Sequence, residues 1–203
     1  MASALLALPG RAQAHPHAFI DVQSTIILDA QGRISGIEQE WLFDEFYTIF
    51  ITEDVRPAPS DNDPRLKELA KRNLSHMREK DYFLRFIVNG IKIKLSEVIE
   101  YESMIKNGKL WMKFQIPFNT PIEIKGNNAS FSTYDETYYI EMLHKKKENI
   151  AFRGSGAESC SSRLITPRPT ADVVSLAGAR DKTAEADTSL GQFFAETVII
   201  TCR

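Results

Sequence analysis

The sequence predicts an α+β fold: a β-rich antiparallel sheet or sandwich built from hairpins, with a helical excursion after the first hairpin. Three observations predict this class. Polar and apolar residues alternate over residues 17–28, as they do in a strand with one buried face. Asn-Gly pairs at residues 89–90 and 107–108 separate further alternating runs, and this dipeptide is a strong short-range signal for a β-hairpin. Helical periodicity follows the first hairpin, over residues 63–77.

The first strand is expected to return after a turn signal, Gln31-Gly32, as a second strand over residues 34–43. A two-residue loop at this turn places Val22 opposite Trp41. All the remaining apolar residues on the same face then also lie opposite apolar residues, so the hydrophobic pattern itself supports the register.

Two helices are predicted after this hairpin. Residues 45–54 favour a short helix with its apolar residues on one side, and residues 55–62 form a loop that contains Pro and Asp. Asp63-Pro64 predicts the start of the second helix, with the aspartate as N-cap and the proline in the first turn. That helix presents an apolar stripe formed by Leu66, Leu69, Ala70, Asn73, Leu74 and Met77.

Strands and turns account for most of the remaining chain. The two Asn-Gly turns predict hairpins with the pairs Val88–Ile91, Phe86–Ile93, Leu84–Leu95, Met104–Trp111 and Glu102–Lys113. Further strands are expected over residues 129–134, 138–143 and 193–201. Residues 154–191 are rich in small and polar residues, which predicts a loop-rich segment, either with a short helix near residues 171–179 or mostly loop.

Residues 1–14 match the end of a secretory signal peptide. Residues 2–8 are apolar, Pro and Gly end the run, and residues 12–14 form a small-x-small cleavage site. No Lys or Arg precedes the apolar run, so the signal is expected to be truncated at its start. Cleavage leaves a single β-rich periplasmic domain, residues 15–203, that begins with His15. The alternative is an uncleaved, frayed tail.

The two cysteines fit an exported protein. Cys160 and Cys202 are far apart and lack the C-x-x-C spacing of a metal site. In an oxidising compartment they are expected to form one disulfide. The alternative is a pair of buried free thiols in a cytosolic protein.

Charge and composition argue against several functional classes. The formal net charge is −2, and no basic stripe is present, so there is no electrostatic case for nucleic-acid binding. No stretch approaches the roughly 20 apolar residues of a transmembrane helix. Motifs for a catalytic nucleophile and for a phosphate-binding glycine loop are also missing, so the sequence does not predict an enzyme.

Two of the four histidines stand within three residues of the expected mature start, namely His15 and His17. An amino-terminal histidine offers both its amine and its ring Nδ1 to one metal ion. The alternation of side chains along a strand puts His17, Asp21 and Asp44 on one face, with Asp44 opposite Phe19 if the loop has two residues and opposite His17 if it has four. Imidazole combined with carboxylate suits zinc, nickel or cobalt, and also copper. We therefore expect one divalent ion held by both histidines, with Asp44 or Asp21 as the third ligand; the alternative is two polar residues at a mobile chain end.

The other two histidines carry weaker signals. His76 lies off the apolar stripe of its helix, so it is expected to be solvated. His144 follows the predicted strand over residues 138–143 and precedes three lysines. A solvated loop is the simpler interpretation of that context, and His144 is also a candidate fourth ligand at the sheet edge.

Three motifs resemble those of one bacterial family. They are HPHAFID directly after the cleavage site, W-x-FDEF at residues 41–46 and YDETYYI at residues 134–140. The family consists of uncharacterised exported proteins, assigned as periplasmic components of ABC-type metal transport systems, whose genes commonly lie beside nickel/cobalt-type permeases. The resemblance runs from His15 to Cys202 and implies a periplasmic role in handling zinc, nickel or cobalt. Family members often carry D-P-T where this chain has D-E-T at residues 135–137, a difference confined to a local turn.

The expected function is therefore that of a divalent metal-binding accessory protein that passes an ion to or from an inner-membrane metal permease. Two alternatives stay open. One is a copper-dependent envelope enzyme with an amino-terminal histidine brace, whose second histidine is His17, His76 or His144. The other is a scaffold that binds the permease and no metal.

Overall fold

The computed structural model describes residues 16–179 and 190–203, and over these ranges the chain has the predicted α+β class. Strands dominate. In chain order the elements are β1 (Ala18–Leu28), β2 (Ile34–Phe43), α1 (Glu45–Ile51), α2 (Arg65–Met77), β3 (Leu84–Val88), β4 (Ile91–Lys92), β5 (Glu100–Lys106), β6 (Lys109–Ile122), β7 (Ala129–Thr133), β8 (Ile140–Leu143), β9 (Ile150–Arg153), β10 (Cys160–Ile165), α3 (Ala171–Ala179) and β11 (Thr197–Cys202).

The strands form two sheets that share one core. The first has the order β5-β6-β2-β1-β8, with β9 also paired to β1, and the second has the order β10-β11-β7-β3-β4. All pairs in the second sheet are antiparallel, whereas β8 and β9 run parallel to β1 in the first. The predicted antiparallel, hairpin-built arrangement is therefore present except at that edge, where β8 and β9 add parallel pairs that were not predicted. Parallel partners join strands that are more than 100 residues apart, so no turn motif in the sequence announces them.

The first hairpin has the predicted register. Val22 pairs with Trp41, Ile20 with Phe43, and Ile26 with Ile37. A register shift after Ile27 makes the connection longer than two residues. The Asp29 carboxylate explains the longer turn, because it accepts hydrogen bonds from the backbone N–H groups of Gln31 and Arg33 and from the Arg33 side chain.

Large apolar side chains from both sheets and from α2 form one continuous cluster. The Trp41 and Phe114 rings meet edge to face at 4.8 Å, and Phe86 stacks with Phe131 at 5.9 Å. The predicted stripe of α2 supplies its buried members, Leu66, Leu69, Ala70 and Leu74. Burying each large apolar side chain contributes roughly 1.5–3 kcal/mol relative to leaving it exposed, so the inward-facing pattern explains why the two layers pack.

The Asn-Gly hairpins form, but one of them is shorter than predicted. Asn89 and Asn107 both have positive φ, as their glycine neighbours do, which suits tight hairpin turns. The predicted pairs of the second hairpin, Met104–Trp111 and Glu102–Lys113, are present. In the first hairpin only Val88–Ile91 and the adjacent residues pair as strands, while Leu84 pairs with Thr133 and Leu95 bridges to Phe118. The predicted Leu84–Leu95 pair is therefore wrong, because the chain leaves β3 after β4 and Leu95 pairs with Phe118 of the first sheet instead.

The described part of residues 154–191 contains more regular structure than its composition indicates. The short helix, one of the two alternatives, forms as α3, and β10 was not predicted at all. β10 has small or polar residues at its first four positions, before Leu164 and Ile165, and pairs only with β11, at the edge of the second sheet. Its strand character comes from that pairing rather than from any alternation of its own. Among the described residues, no helix is long and apolar enough to cross a membrane.

The predicted disulfide is present. Cys160 and Cys202 lie directly opposite each other on β10 and β11 and are bonded through their Sγ atoms. The bond therefore ties the outer edge strand of the second sheet to the last strand of the chain.

Removing this disulfide is expected to destabilise the domain. Loop-closure entropy for a separation of 42 residues sets an upper value of about 4 kcal/mol. We expect a loss of about 2 kcal/mol in the double variant Cys160→Ala/Cys202→Ala, because β10 is an edge strand that can open locally before the core does. Urea unfolding followed by circular dichroism measures this loss. An unchanged midpoint would contradict it.

Candidate functional site

The three motifs of the sequence meet where β1 begins. The His17 backbone N–H donates to the Tyr139 carbonyl at 2.9 Å, and the two rings lie 4.9 Å apart. Two residues later, the Phe19 N–H donates to the Asp44 carboxylate at 2.7 Å, while the Asp44 N–H donates to the Phe19 carbonyl at 2.9 Å. The strand that carries His17 is thus held on one side by the YDETYYI motif and on the other by the FDEF motif.

Asp44 has a structural task that the sequence analysis missed. Its second carboxylate oxygen accepts a hydrogen bond from the Tyr47 N–H at 2.9 Å, and its carbonyl accepts one from the Thr48 hydroxyl at 2.7 Å. Asp44 is therefore the N-cap of α1 and links that helix to β1. The signal was available, because an aspartate directly before a predicted helical segment is a common N-cap.

The YDETYYI motif forms a fixed turn around a buried carboxylate. Asp135 accepts hydrogen bonds from the hydroxyl and N–H of Thr137 and from the N–H groups of Tyr139 and Ile140, at 2.8–3.2 Å. The turn packs closely on Gly191, where an added Cβ would lie 1.9 Å from the Asp135 carbonyl oxygen. This network sets the position of Tyr139 against His17.

The same end of β1 is electrostatically connected to α1. Burial raises the pKa of the Tyr47 phenol, and interactions with Tyr139, Asp135 and Asp44 raise it further. Tyr47 therefore stays protonated at neutral pH and can act as a hydrogen-bond donor. Residues of the YDETYYI turn, Asp135 and Tyr139, therefore affect the pKa of Tyr47 in α1.

The structure brings together only part of the predicted metal-ligand set. His15 lies outside the described residues. Asp44 pairs with Phe19, which is two residues or about 7 Å from His17 along an extended strand. Asp21 is on the same face but four residues or about 13 Å away, and it forms an ion pair with Lys145. Within residues 16–179 and 190–203, no group of three or more His, Cys, Asp or Glu side chains is arranged to hold a metal ion.

His144 is placed on the other side of the sheet from His17. In the preceding strand, β8, Met142 pairs with the inward-facing Ile20 of β1, and His144 is two residues further along on the same face. The His144 side chain is only 2% exposed. Its Nε2 lies 2.7 Å from the Ser24 hydroxyl, and its Nδ1 lies 3.4 Å from Glu196 Oε2. The structure therefore gives His144 a place in the core and does not bring it to the start of β1.

His144 belongs to a buried polar network between the sheets. Glu196 accepts a hydrogen bond from the His144 backbone N–H at 2.6 Å, and Gln39 donates to Ser24 at 2.8 Å. Trp41 extends the network by donating to Gln39 at 3.0 Å. The sequence analysis missed these residues, although Ser24 and Gln39 occupy inward positions of strands that are otherwise apolar there.

The Ser24, His144 and Glu196 side chains resemble a hydrolytic triad in composition only. Each residue is at most 3% exposed, so a substrate cannot reach the serine hydroxyl. A hydrolase mechanism requires that hydroxyl to meet a substrate. We therefore interpret the three residues as a structural network.

One face of α1 is apolar and exposed. Phe46, Ile49 and Phe50 are 85%, 70% and 65% exposed, and we refer to them as the α1 surface. Their grouping on one side of the helix was predicted, but an orientation toward solvent was not. Charged residues surround them, including an ion pair between Glu45 and Lys109 at 3.9 Å. An apolar centre with a charged rim is typical of an interaction surface.

The chain is similar to a protein family and to a bacterial protein. A family model described as "Protein of unknown function (DUF1007)" matches residues 1–202. An uncharacterised protein of Haemophilus influenzae is 29% identical over 192 residues, which cover 93% of this chain and 91% of that protein. Both agree with the expected family of uncharacterised proteins. Neither describes a metal, a transport system or a neighbouring gene.

Proposed function

We propose a function for this chain from the premise that it belongs to the DUF1007 family. In this proposal the chain is an exported, periplasmic accessory protein that binds one divalent transition-metal ion. The ion is zinc, nickel or cobalt, with copper as a further candidate, since these metals accept imidazole and amine nitrogen. The protein passes this ion to or from an inner-membrane metal permease. No reaction is assigned to it.

The observation that carries the proposal is the convergence of three motifs at the start of β1. The His17 ring is fixed against Tyr139, and Asp44 is anchored two residue positions along the strand. A mature chain that begins with His15 offers an amine and an imidazole just ahead of this fixed ring. The proposed ligands are therefore His15 and His17, with Asp44 as the nearest of the predicted carboxylates.

Asp21 and His144 are weaker candidates for the same ion. The spacing of residues along β1 separates Asp21 from His17 by about 13 Å, which is too far for two side chains to share one ion. His144 is directed into the core, where Ser24 and Glu196 occupy both of its ring nitrogens. The ligand set thus reduces to the chain end and one carboxylate.

The position of α1 supports a partner next to this site. Asp44 caps α1, so the helix begins where the proposed ligands lie. The α1 surface then presents three large apolar side chains to solvent. A membrane permease that receives the ion could cover this surface, which would place the metal next to the entrance of the permease.

Native mass spectrometry of the protein from a periplasmic fraction tests the processing and the binding together. The expected result is a chain that begins at His15 and carries the mass of one added zinc, nickel or cobalt ion. The uncleaved chain, which retains residues 1–14 and lacks an amine at His15, is the control and should bind far less metal. A chain with a different start, or a mature chain that carries no ion, would contradict the proposal.

A further inference from the structure

The α1 surface adjoins an open groove of about 410 Å³. The three side chains of the α1 surface form one wall of the groove, and residues within 52–58 form the other. Of the described residues that line it, only Val55 is buried, so another molecule can reach both walls. A cavity of about 150 Å³ is large enough for benzene, so the groove has room for a phenyl ring from another chain.

The apolar area of the α1 surface matches one side of a stable protein interface. At exposed fractions of 85%, 70% and 65%, the three side chains together present about 400 Å² to solvent, if a fully exposed large side chain has roughly 200 Å². A standard interface buries about 800 Å² on each partner, and slightly more than half of this area is apolar. The α1 surface therefore supplies the apolar centre that one half of such an interface needs.

Each end of the α1 surface carries one acidic and one basic side chain. Glu45 and Lys109 form an ion pair at the start of α1. Glu53 and Arg56 form another just beyond its end, and the distance between the charged groups is 3.9 Å in both pairs. The two pairs cancel in charge. Helices that lie on a lipid surface instead carry an excess of Lys and Arg, so the balanced rim argues for a protein partner.

These charges complement a second copy of the same surface. A twofold axis through the middle of α1 sets two α1 helices antiparallel, so that the start of one helix faces the end of the other. Glu45 then faces Arg56 of the second copy. Lys109 likewise faces Glu53 of the second copy. Exposed charges add little affinity, but they fix the orientation of an interface, and twofold dimers are the commonest oligomers.

We infer that a second copy of this chain covers the α1 surface, in a twofold dimer with the two α1 helices antiparallel. Ile49 of each copy lies next to the twofold axis, and Phe46 of each copy enters the groove of the other. The inference goes beyond the proposed function and does not depend on the metal ion. It adds a step to the proposed transfer, because a permease that uses the α1 surface must first displace the second copy.

Sedimentation equilibrium of the mature chain, in the presence of a chelator, tests the inference. Standard-size interfaces have dissociation constants in the micromolar range or below, so we expect the dimer to prevail at about 100 µM and to dissociate on dilution. Ile49→Glu brings two like charges together at the axis and should raise the dissociation constant at least about 50-fold. Ile91→Glu is the matched control, because Ile91 is 69% exposed and lies in β4, outside the α1 surface. It should leave the dissociation constant unchanged.

Disulfide cross-linking tests the position of the axis. Both native cysteines are bonded to each other, so Ile49→Cys adds the one free thiol of the chain. Two such thiols should link across the axis on mild oxidation, whereas Ile91→Cys should stay unlinked at the same concentration. A wild-type chain that remains monomeric, a dimer unaffected by Ile49→Glu, or a dimer that Ile49→Cys does not link would overturn the inference. None of these results would alter the outcome of the metal titrations.

Discussion

Replacing Glu196 with alanine is expected to lower the free energy of unfolding by about 2–4 kcal/mol, because two buried hydrogen-bonding groups lose their partner. The Glu196 carboxylate accepts the buried backbone N–H of His144 and lies 3.4 Å from its ring Nδ1. Both groups are shielded from water, so they would lose their partner without gaining another. Urea denaturation of the metal-free protein with its disulfide intact measures the loss.

Two other variants provide stability values for comparison with Glu196→Ala. Glu158→Ala removes an exposed glutamate and should change stability by less than about 0.5 kcal/mol. Ser24→Ala removes the partner of His144 Nε2 and of the Gln39 side-chain amide and should cost about 1–3 kcal/mol, since both buried groups lose a hydrogen bond. A Glu196→Ala protein as stable as Glu158→Ala would show that the network contributes nothing to the fold.

Local chemistry explains the parts of the fold that were predictable. The register of the first hairpin followed from the match of apolar residues such as Val22 and Trp41 across the turn. The positive-φ turns at Asn89 and Asn107 followed from the Asn-Gly dipeptide. Neither required knowledge of distant parts of the chain.

Distant pairing explains what was missed. β8 and β9 join β1 as parallel strands from more than 100 residues away, and the polar strand β10 is held by β11 alone. The inward position of His144 has the same origin, because it depends on how β8 pairs with β1. Sequence periodicity indicates which residues share a face, but it does not identify the partner of that face.

The sequence predicted which face of the sheet carries the candidate ligands, but it did not predict the distances between them. Of the two registers considered, the one that places Asp44 opposite Phe19 is present. The alternation of side chains along β1 also put Asp21 on the face of His17. Alternation alone does not include the rise of roughly 3.3 Å per residue, which separates Asp21 from His17. The cap formed by Asp44 and the contact between His17 and Tyr139 needed the structure.

Changing His17 is expected to have the largest effect on metal binding. Altering a residue that merely orients a metal ligand costs roughly 10–100-fold in affinity, so loss of a ligand should cost about 100-fold or more. His17→Phe keeps a ring against Tyr139 and removes the ligand, which separates metal binding from packing. Because a ligating imidazole must be neutral, the affinity of the unaltered protein should also fall in acid.

Two further chains complete the comparison. One extra residue ahead of His15 moves the amine away from the ring and should weaken binding by a similar factor. His76→Ala removes an exposed imidazole on α2 and should leave the affinity unchanged. The thermal stability of each metal-free chain shows whether the fold is intact.

Calorimetric titration of the mature chain with zinc, nickel, cobalt and copper tests the central claim most directly. The account predicts one ion per chain, with affinity that falls sharply in His17→Phe and in the extended chain and stays constant in His76→Ala. Equal affinity in the mature chain, the His17→Phe variant and the extended chain would contradict it, because the ion would then bind elsewhere or not at all.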